Sequence, residues 1–318
     1  MDNWQLQTPV AFLVFNRPDT TEQVFKAIAQ TRPPQLLVVA DGPRPNRPGE
    51  AEKCAAVRRI IERVDWPCEV LTNYAETNLG CGRRVSSGLD WVFETVEEAI
   101  ILEDDCLPHP TFFRFCQELL ERFRDDERVM MITGTNYLLQ LDIPASYLFS
   151  RYFSVWGWAT WRRAWQTYNF NMAGWEKLKA QQQVKYFYPQ AYMVKYVSNM
   201  FDAVYNHQID TWDVQWFYCC LFNNGLSAVP RVNLISNIGV VGTHTSEGGE
   251  DLPLPTFALE VDRLVHPKQV FADRLYDHRM FEARIKTPFW IFYKRRAIAA
   301  RRKIIRLLRN GLTPAVKG

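Results

Sequence analysis

Apolar residues occur along the first half of the chain in short, nearly continuous runs that are separated by amphipathic segments. The apolar runs lie at residues 9–16, 35–42, 68–73, 97–105 and 129–136. Runs of this length are typical of strands that are covered on both faces. The segments between them carry apolar residues at helical spacing, such as Val24, Phe25 and Ile28. This alternation predicts a Rossmann-like α/β fold, a mixed central sheet flanked by helices.

The domain organisation follows from a change in pattern after Tyr137, where aromatic-rich mixed segments replace the regular alternation. No Gly/Ser-rich linker, low-complexity tract or internal repeat marks an independent second domain. We therefore predict one catalytic domain over residues 1–255 and a C-terminal extension over residues 256–318.

Composition limits the class of protein. With 318 residues and 47% hydrophobic content, the chain can bury a substantial core. Its seven cysteines include no C-x-x-C pair, which disfavours a disulfide framework and a zinc knuckle. The first nine residues are polar and lack the apolar run of a signal peptide, so we expect a cytoplasmic protein.

Charge is distributed unevenly. Eleven Lys and Arg residues and no acid follow Glu282, which leaves a net charge of −8 on residues 1–282. This disfavours a core that binds nucleic acid. Residues 289–308 fit a basic amphipathic helix on an anionic membrane surface, so we expect peripheral association with the inner face of the cytoplasmic membrane. The alternative is a solvated helix that docks on the catalytic domain or on a partner.

Polar residues follow each of the first four predicted strands. They are Asn16 with Arg17, Asp41 with Gly42, Asn73 with Asn78, and Glu103 with Asp104 and Asp105. In an open α/β sheet, ligands bind outside the carboxyl ends of the strands. We therefore expect these residues to share a binding edge.

The acidic triplet at 103–105 ends a buried strand, where mutual repulsion is costly unless a cation neutralises it. Carboxylate oxygens suit Mg²⁺ or Mn²⁺, which can also bind diphosphate oxygens. The triplet therefore indicates a metal site. The alternative is an ordinary acidic loop before a helix that starts near Pro110.

Several motifs together resemble a known family. In chain order they are VFNRP, VVADG, NLGCGRR, AIILEDDCLP and PTFFRF, within residues 9–245. The order resembles GT-A glycosyltransferases, especially the inverting Golgi N-acetylglucosaminyltransferases that initiate complex N-glycans. The later strings SVWGWATWRRAW and TWDVQWFY resemble bacterial GT-A-like proteins labelled as haemolysin-related. The resemblance implies a GT-A fold and a nucleoside-diphosphate sugar, preferably a UDP-sugar, as donor.

The same resemblance implies roles for residues at the strand ends. Asp105 would ligate the metal, and Asp104 and Glu103 would support the ribose, the metal-bound waters or the donor sugar. Asp41 would accept a hydrogen bond from the nucleobase. The remaining donor-site residues would be Arg17 and Arg83, near base or phosphate, and Asn78, in the approach loop.

Transfer with inversion requires a base that takes the proton of the acceptor hydroxyl. The resemblance assigns this role to Asp213 in TWDVQW, with Asp210 as the competing candidate. Only one of the family's two adjacent acids is present here. Asp213 also suits the N-cap of the following helix, and the two roles are compatible.

Two further residues are candidates with ordinary structural alternatives. Trp158, in a Trp-rich stretch, would provide a face for the donor sugar, and a Trp-rich core is the alternative. His244 would complete the metal shell, as a C-terminal histidine does in many GT-A enzymes, and a loop histidine is its alternative.

The sequence therefore predicts an inverting glycosyltransferase that acts on a hydroxyl of a glycan or lipid-linked cell-envelope acceptor. A nucleotidyltransferase is disfavoured because Asn16, Arg17 and Pro18 stand where a Gly-rich, Lys-containing phosphate loop is expected. The remaining alternatives are a non-catalytic nucleotide-binding or saccharide-binding protein with a GT-A-like fold and a membrane-active protein.

Overall fold

The structure is a computed structural model that describes residues 4–239 and 253–286. The chain divides into two compact units, Met1–Asp273 and Arg274–Gly318. The first unit includes residues 256–273, which the sequence analysis assigned to the extension.

Strands and helices alternate through the first unit. Its strands are β1 (Val10–Val14), β2 (Gln35–Ala40), β3 (Glu69–Tyr74), β4 (Glu98–Glu103), β5 (Cys106–Pro108), β6 (Val129–Thr133), β7 (Tyr147–Ser150), β8 (Trp158–Trp161), β9 (Leu226–Pro230) and β10 (Ile235–Asn237). Its helices are α1 (Pro18–Thr31), α2 (Glu50–Ile61), α3 (Cys81–Thr95), α4 (Thr111–Arg122), α5 (Arg162–Trp165), α6 (Trp175–Ala180), α7 (Ala191–Tyr205) and α8 (Asp213–Phe222). Short 3₁₀ turns lie at Gln183–Tyr186 and Val261–Arg263. The described part of the second unit holds α9 (Arg274–Met280) and a π-helical turn (Phe281–Lys286).

Eight of the described strands form one sheet in the order β3-β2-β1-β4-β8-β6-β9-β7. Strands β1 to β4 are parallel, and β8 is antiparallel to both β4 and β6. Strand β9 is parallel to β6 and antiparallel to β7. Strands β5 and β10 form a separate antiparallel pair. The predicted Rossmann-like α/β fold, with a mixed central sheet flanked by helices, is confirmed.

The burial of the strands explains why their sequences are almost continuously apolar. Every residue of β1 is buried, and so are the last five residues of β2. Helix α1 begins at Pro18, whose fixed φ suits a first turn, and it buries Val24, Phe25 and Ile28. Strand β3 is an edge strand and is largely exposed.

The register of the parallel strands positions the candidate site. Leu13 of β1 is level with Glu103 of β4, and Val14 is level with Ala40 of β2. The residues that follow β1, β2 and β4 therefore leave the sheet side by side at its carboxyl edge.

Candidate functional site

The acidic triplet lies at the carboxyl edge of the sheet, at the end of β4. Asp104 and Asp105 are buried, with relative exposures of 3% and 9%, and Glu103 is partly buried. Burial, followed by the charges of its two neighbours, raises the pKa of Glu103 to about 8. Burial also raises the pKa of Asp104 to about 7, although Arg17 opposes the shift. The ionised forms of Glu103 and Asp104 are therefore disfavoured here, and an added positive charge beside them would favour those forms.

Arg17 provides a cation for this cluster from the end of β1. Its Nη1 contacts Asp105 Oδ2 and lies 3.5 Å from Asp104 Oδ1. The backbone N–H of Phe15 also donates to Asp104 Oδ2, at 3.2 Å. One guanidinium faces three carboxyl groups, so the cluster has the capacity to attract a further cation.

Two observations test whether these residues fit a metal ion. In residues 4–239 and 253–286, no group of three or more His, Cys, Asp or Glu side chains is arranged to hold a metal. Arg17 Nε is buried and has no hydrogen-bond partner among the described residues, and such a donor suits an anionic oxygen. The described side chains alone therefore do not form a metal site, and a metal at this edge would need further ligands, such as diphosphate oxygens, beside one or two carboxylates.

Asp41 and Asn78 come together at the end of β2, as the strand-end pattern indicated. Asn78 Nδ2 donates to Asp41 Oδ2 at 2.9 Å, and the backbone N–H of Leu79 donates to Asp41 Oδ1 at 2.9 Å. Burial raises the pKa of Asp41, although the hydrogen bonds from Leu79 and Gly42 oppose the shift. A Cβ at Gly42 would lie 2.5 Å from the carbonyl carbon of Thr77, so glycine is required for the close approach of this loop.

The two adjacent arginines of α3 occupy different environments. Arg83 is exposed and its guanidinium lies over the ring of Phe170, 5.0 Å from the ring centroid. Arg84 is buried and donates to the carbonyl oxygens of Ala40 at 3.1 Å and Asn73 at 2.6 Å. Arg84, which the sequence analysis did not single out, therefore connects the carboxyl ends of β2 and β3.

Asp213 is the first residue of α8, and the adjacent N-cap position belongs to Trp212. Its Oδ1 accepts hydrogen bonds from the Thr211 hydroxyl and, at 2.9 Å, from the backbone N–H of Val214. Its Oδ2 accepts none from the described residues. The charge of Asp213 contributes to the raised pKa of Glu103, so the two carboxylates belong to one electrostatic environment.

Trp158 is a buried core residue, so its ring does not provide the face for the donor sugar that the sequence predicted. Trp158 lies in β8, between β4 and β6 in the middle of the sheet, and its relative exposure is 0%. Its ring stacks on Trp212 with centroids 5.7 Å apart. The alternative of a Trp-rich core is therefore correct for this ring.

This core supports the start of α8. We call Trp158, Trp165, Trp212 and Trp216 the tryptophan cluster; neighbouring centroids within it lie 5.3 to 6.4 Å apart. Tyr168 stacks on Trp165 at 4.3 Å and donates its hydroxyl to the Trp212 carbonyl at 3.1 Å. The residue preceding Asp213 is thus fixed by both packing and a hydrogen bond.

A second polar network, which the sequence analysis missed, lies beside the strand ends. Glu50 is buried, and it accepts hydrogen bonds from Arg44 Nε at 3.0 Å and Asn16 Nδ2 at 2.9 Å. The Arg44 guanidinium lowers the pKa of Glu50 to about 2. This network fixes the Pro-rich loop after Gly42. Its sequence signal is weak, because an acid in the first turn of a helix is usually solvated.

His244 and the basic segment 289–308 lie outside the described residues. In the described part of the chain, no helix has the length and apolar character needed to cross a membrane.

Comparisons with known proteins give partial structural overlaps. No family model and no curated protein sequence matches this chain. The match to a structure of S. aureus TarS residues 1–349 covers 49% of this chain and 47% of the TarS chain, with 12% identity and a TM-score of 0.33. The match to a UDP-glucose pyrophosphorylase complexed with UDP-glucose covers 46% of this chain and 62% of the pyrophosphorylase chain, with 10% identity and a TM-score of 0.26. The chain thus spans less than two thirds of either protein, and overlaps this small carry no argument about function.

The core role of Trp158 predicts a large effect on stability. Trp158→Ala should lower the free energy of unfolding by about 3–5 kcal/mol because it empties a closely packed position. Urea denaturation would measure the change, with Tyr186→Ala as a control at a residue that is 70% exposed. A loss below about 1 kcal/mol for Trp158→Ala would be incompatible with a core position.

Proposed function

We propose that this chain is an inverting glycosyltransferase of the GT-A type. It transfers a sugar from a nucleoside-diphosphate sugar, preferably a UDP-sugar, to a hydroxyl of a glycan or lipid-linked cell-envelope acceptor. One observation carries the proposal: the ends of β1, β2 and β4 bring Arg17, Asp41 and the acidic triplet to one edge of the sheet. Asp41 can accept a hydrogen bond from a nucleobase, and Arg17 can donate hydrogen bonds to a diphosphate. The acidic triplet supplies carboxylates for a metal.

The donor half of the proposed mechanism uses the strand ends. Asp41 accepts a hydrogen bond from the nucleobase, and its own position is fixed by Asn78 and Leu79. Arg17 donates to the diphosphate from the same edge of the sheet, where its guanidinium already contacts Asp105. Asp105 would hold Mn²⁺ or Mg²⁺, with Asp104 and Glu103 beside it and His244, which lies outside the described residues, as a further ligand. When bound, the metal supplies positive charge that stabilises the leaving diphosphate.

The acceptor half of the proposed mechanism uses Asp213. The Thr211 hydroxyl and the Val214 N–H orient its Oδ1, which leaves Oδ2 to take the proton of the attacking hydroxyl. Attack from the side opposite the diphosphate inverts the anomeric centre. The tryptophan cluster keeps α8, and therefore this carboxylate, in place.

Donor binding tests the proposed site. We expect one member of a panel of nucleoside-diphosphate sugars to bind in Mn²⁺, with affinity at least about tenfold weaker in EDTA or in Asp105→Ala. Isothermal titration calorimetry and donor hydrolysis would measure binding and turnover, and Asp125→Ala at an exposed site serves as the matched control. If no donor binds with or without metal, the transferase proposal is wrong and a non-enzymatic function is favoured.

The base assignment predicts a separable effect. Asp213→Asn should reduce kcat by about 10²–10⁴-fold because the amide cannot accept the proton, while donor affinity stays unchanged. Steady-state kinetics and calorimetry on the same samples would measure both, with the exposed Asp142→Asn as control. Unchanged kcat in Asp213→Asn would remove Asp213 from the mechanism.

We propose that the basic C-terminal segment binds an anionic membrane surface. The full chain should co-sediment with vesicles that contain anionic lipid and not with purely zwitterionic vesicles, and binding should weaken as salt increases. Replacing six Lys and Arg residues, which the helical pattern of the sequence puts opposite the apolar residues, with glutamine should abolish sedimentation and leave donor binding intact. The residues to replace are Arg295, Arg296, Arg302, Lys303, Arg306 and Arg309. Equal sedimentation with both vesicle types would contradict recognition of anionic lipid, and no sedimentation with either type would favour docking on protein instead.

A further inference from the structure

The N-terminus of α3 is capped by a residue from a distant part of the chain. Its N-cap is Gly80, which has no side chain to bond the first free N–H groups. The carboxylate of Asp210, 128 residues from Gly82 in sequence, accepts the N–H of Gly82 at 3.1 Å. A negative charge at a helix N-terminus is favourable, because the helix dipole is positive there.

Two glycines make this contact possible. A Cβ at Gly80 would lie 2.8 Å from Asp210 Oδ2, and a Cβ at Gly82 would lie 2.5 Å from Asp210 Oδ1 and 2.8 Å from the Thr211 carbonyl oxygen. Gly80 also has a φ of 80°, which favours glycine independently. The N-L-G-C-G string therefore has a specific spatial function: it lets the Asp210 loop reach the helix backbone.

The contact joins the two halves of the proposed site. On one side, Asn78 and Leu79 bond Asp41 at the end of β2. On the other side, Asp210 precedes Asp213 by three residues and leads into α8. Burial, followed by the charges of Glu103, Asp213 and Asp210, raises the pKa of Cys81, the first residue of α3, to about 12. The thiol therefore shares the electrostatic environment of both halves.

We propose that Asp210 is a positioning residue that sets the placement of Asp213 relative to the donor-binding edge by fixing its loop to the N-terminus of α3. This inference rests on the proposed function for its catalytic consequence, but the contact itself does not. The main competing role for Asp210 is that of the catalytic base. Asp210 and Asp213 each have one oxygen occupied by a backbone N–H, so this pattern alone does not separate the two roles. A positioning role requires only an oxygen that accepts a hydrogen bond from Gly82, whereas a base must take up a proton.

An exchange experiment tests the contact without any activity. Asp210→Ala should speed amide hydrogen exchange in a peptide covering residues 78–86 by about tenfold, because the charged acceptor for Gly82 is lost. Asp210→Asn should change it little, because an amide oxygen still accepts. Asp19→Ala, an exposed acid in the first turn of α1, is the matched control. Exchange in Asp210→Ala equal to that of the wild type would overturn the proposal.

Kinetics on the full chain test the catalytic consequence. Asp210→Ala and Gly82→Ala should both reduce kcat by about 10²-fold through misplacement of Asp213, with donor KM changed less and the acidic limb of the pH–rate profile retained. Asp210→Asn should restore kcat to within a few-fold of the wild type. If Asp210→Asn is as inactive as Asp210→Ala and loses that limb, Asp210 is the base and the proposal is wrong. If the wild type transfers no sugar while the exchange results hold, the proposed function fails and the structural contact stands.

Discussion

The buried negative charge at the end of β4 is the constraint on which the rest of the site depends. Three consecutive acids lie at the end of a central strand, and burial works against the ionisation of Glu103 and Asp104. The fold opposes this with Arg17 and the backbone N–H of Phe15, both delivered by the end of β1. A chain selected for stability alone would place apolar or amide side chains there, because a buried charge that is incompletely paired is destabilising. Under the proposed function, this cost is offset when a metal ion and an anionic donor bind beside the cluster together.

The rest of the unit positions side chains around that charge. Arg84 connects the carboxyl ends of β2 and β3, Asn78 connects the loops that follow them, and the Glu50 network holds the Pro-rich loop beside them. On the opposite side, the tryptophan cluster and Tyr168 fix the residue before Asp213. These contacts join segments that are far apart in sequence, so the site depends on the complete fold of the first unit.

Strands β1, β2 and β4 could be predicted because each contains a nearly continuous apolar run, and a parallel sheet that is covered on both faces requires such runs. The edge strand β3 is largely exposed, and its prediction rested on its place in the alternation of strands and helices. The same logic predicted that Arg17, Asp41 and the acidic triplet share an edge. Strand β8 was missed because its aromatic and small residues, WATW, resemble a ligand-binding wall as much as a strand. Its insertion between β4 and β6 is what buries Trp158. The contact of Asp210 with Gly82 could not be predicted, because nothing local in either segment indicates the other.

The most direct test of the account is an experimental structure with uridine diphosphate and Mn²⁺ bound. We expect the uracil to hydrogen-bond to Asp41, the diphosphate to contact Arg17, and Asp105 to ligate the metal. A nucleotide bound away from the carboxyl ends of β1, β2 and β4 would show that the acidic cluster has another purpose.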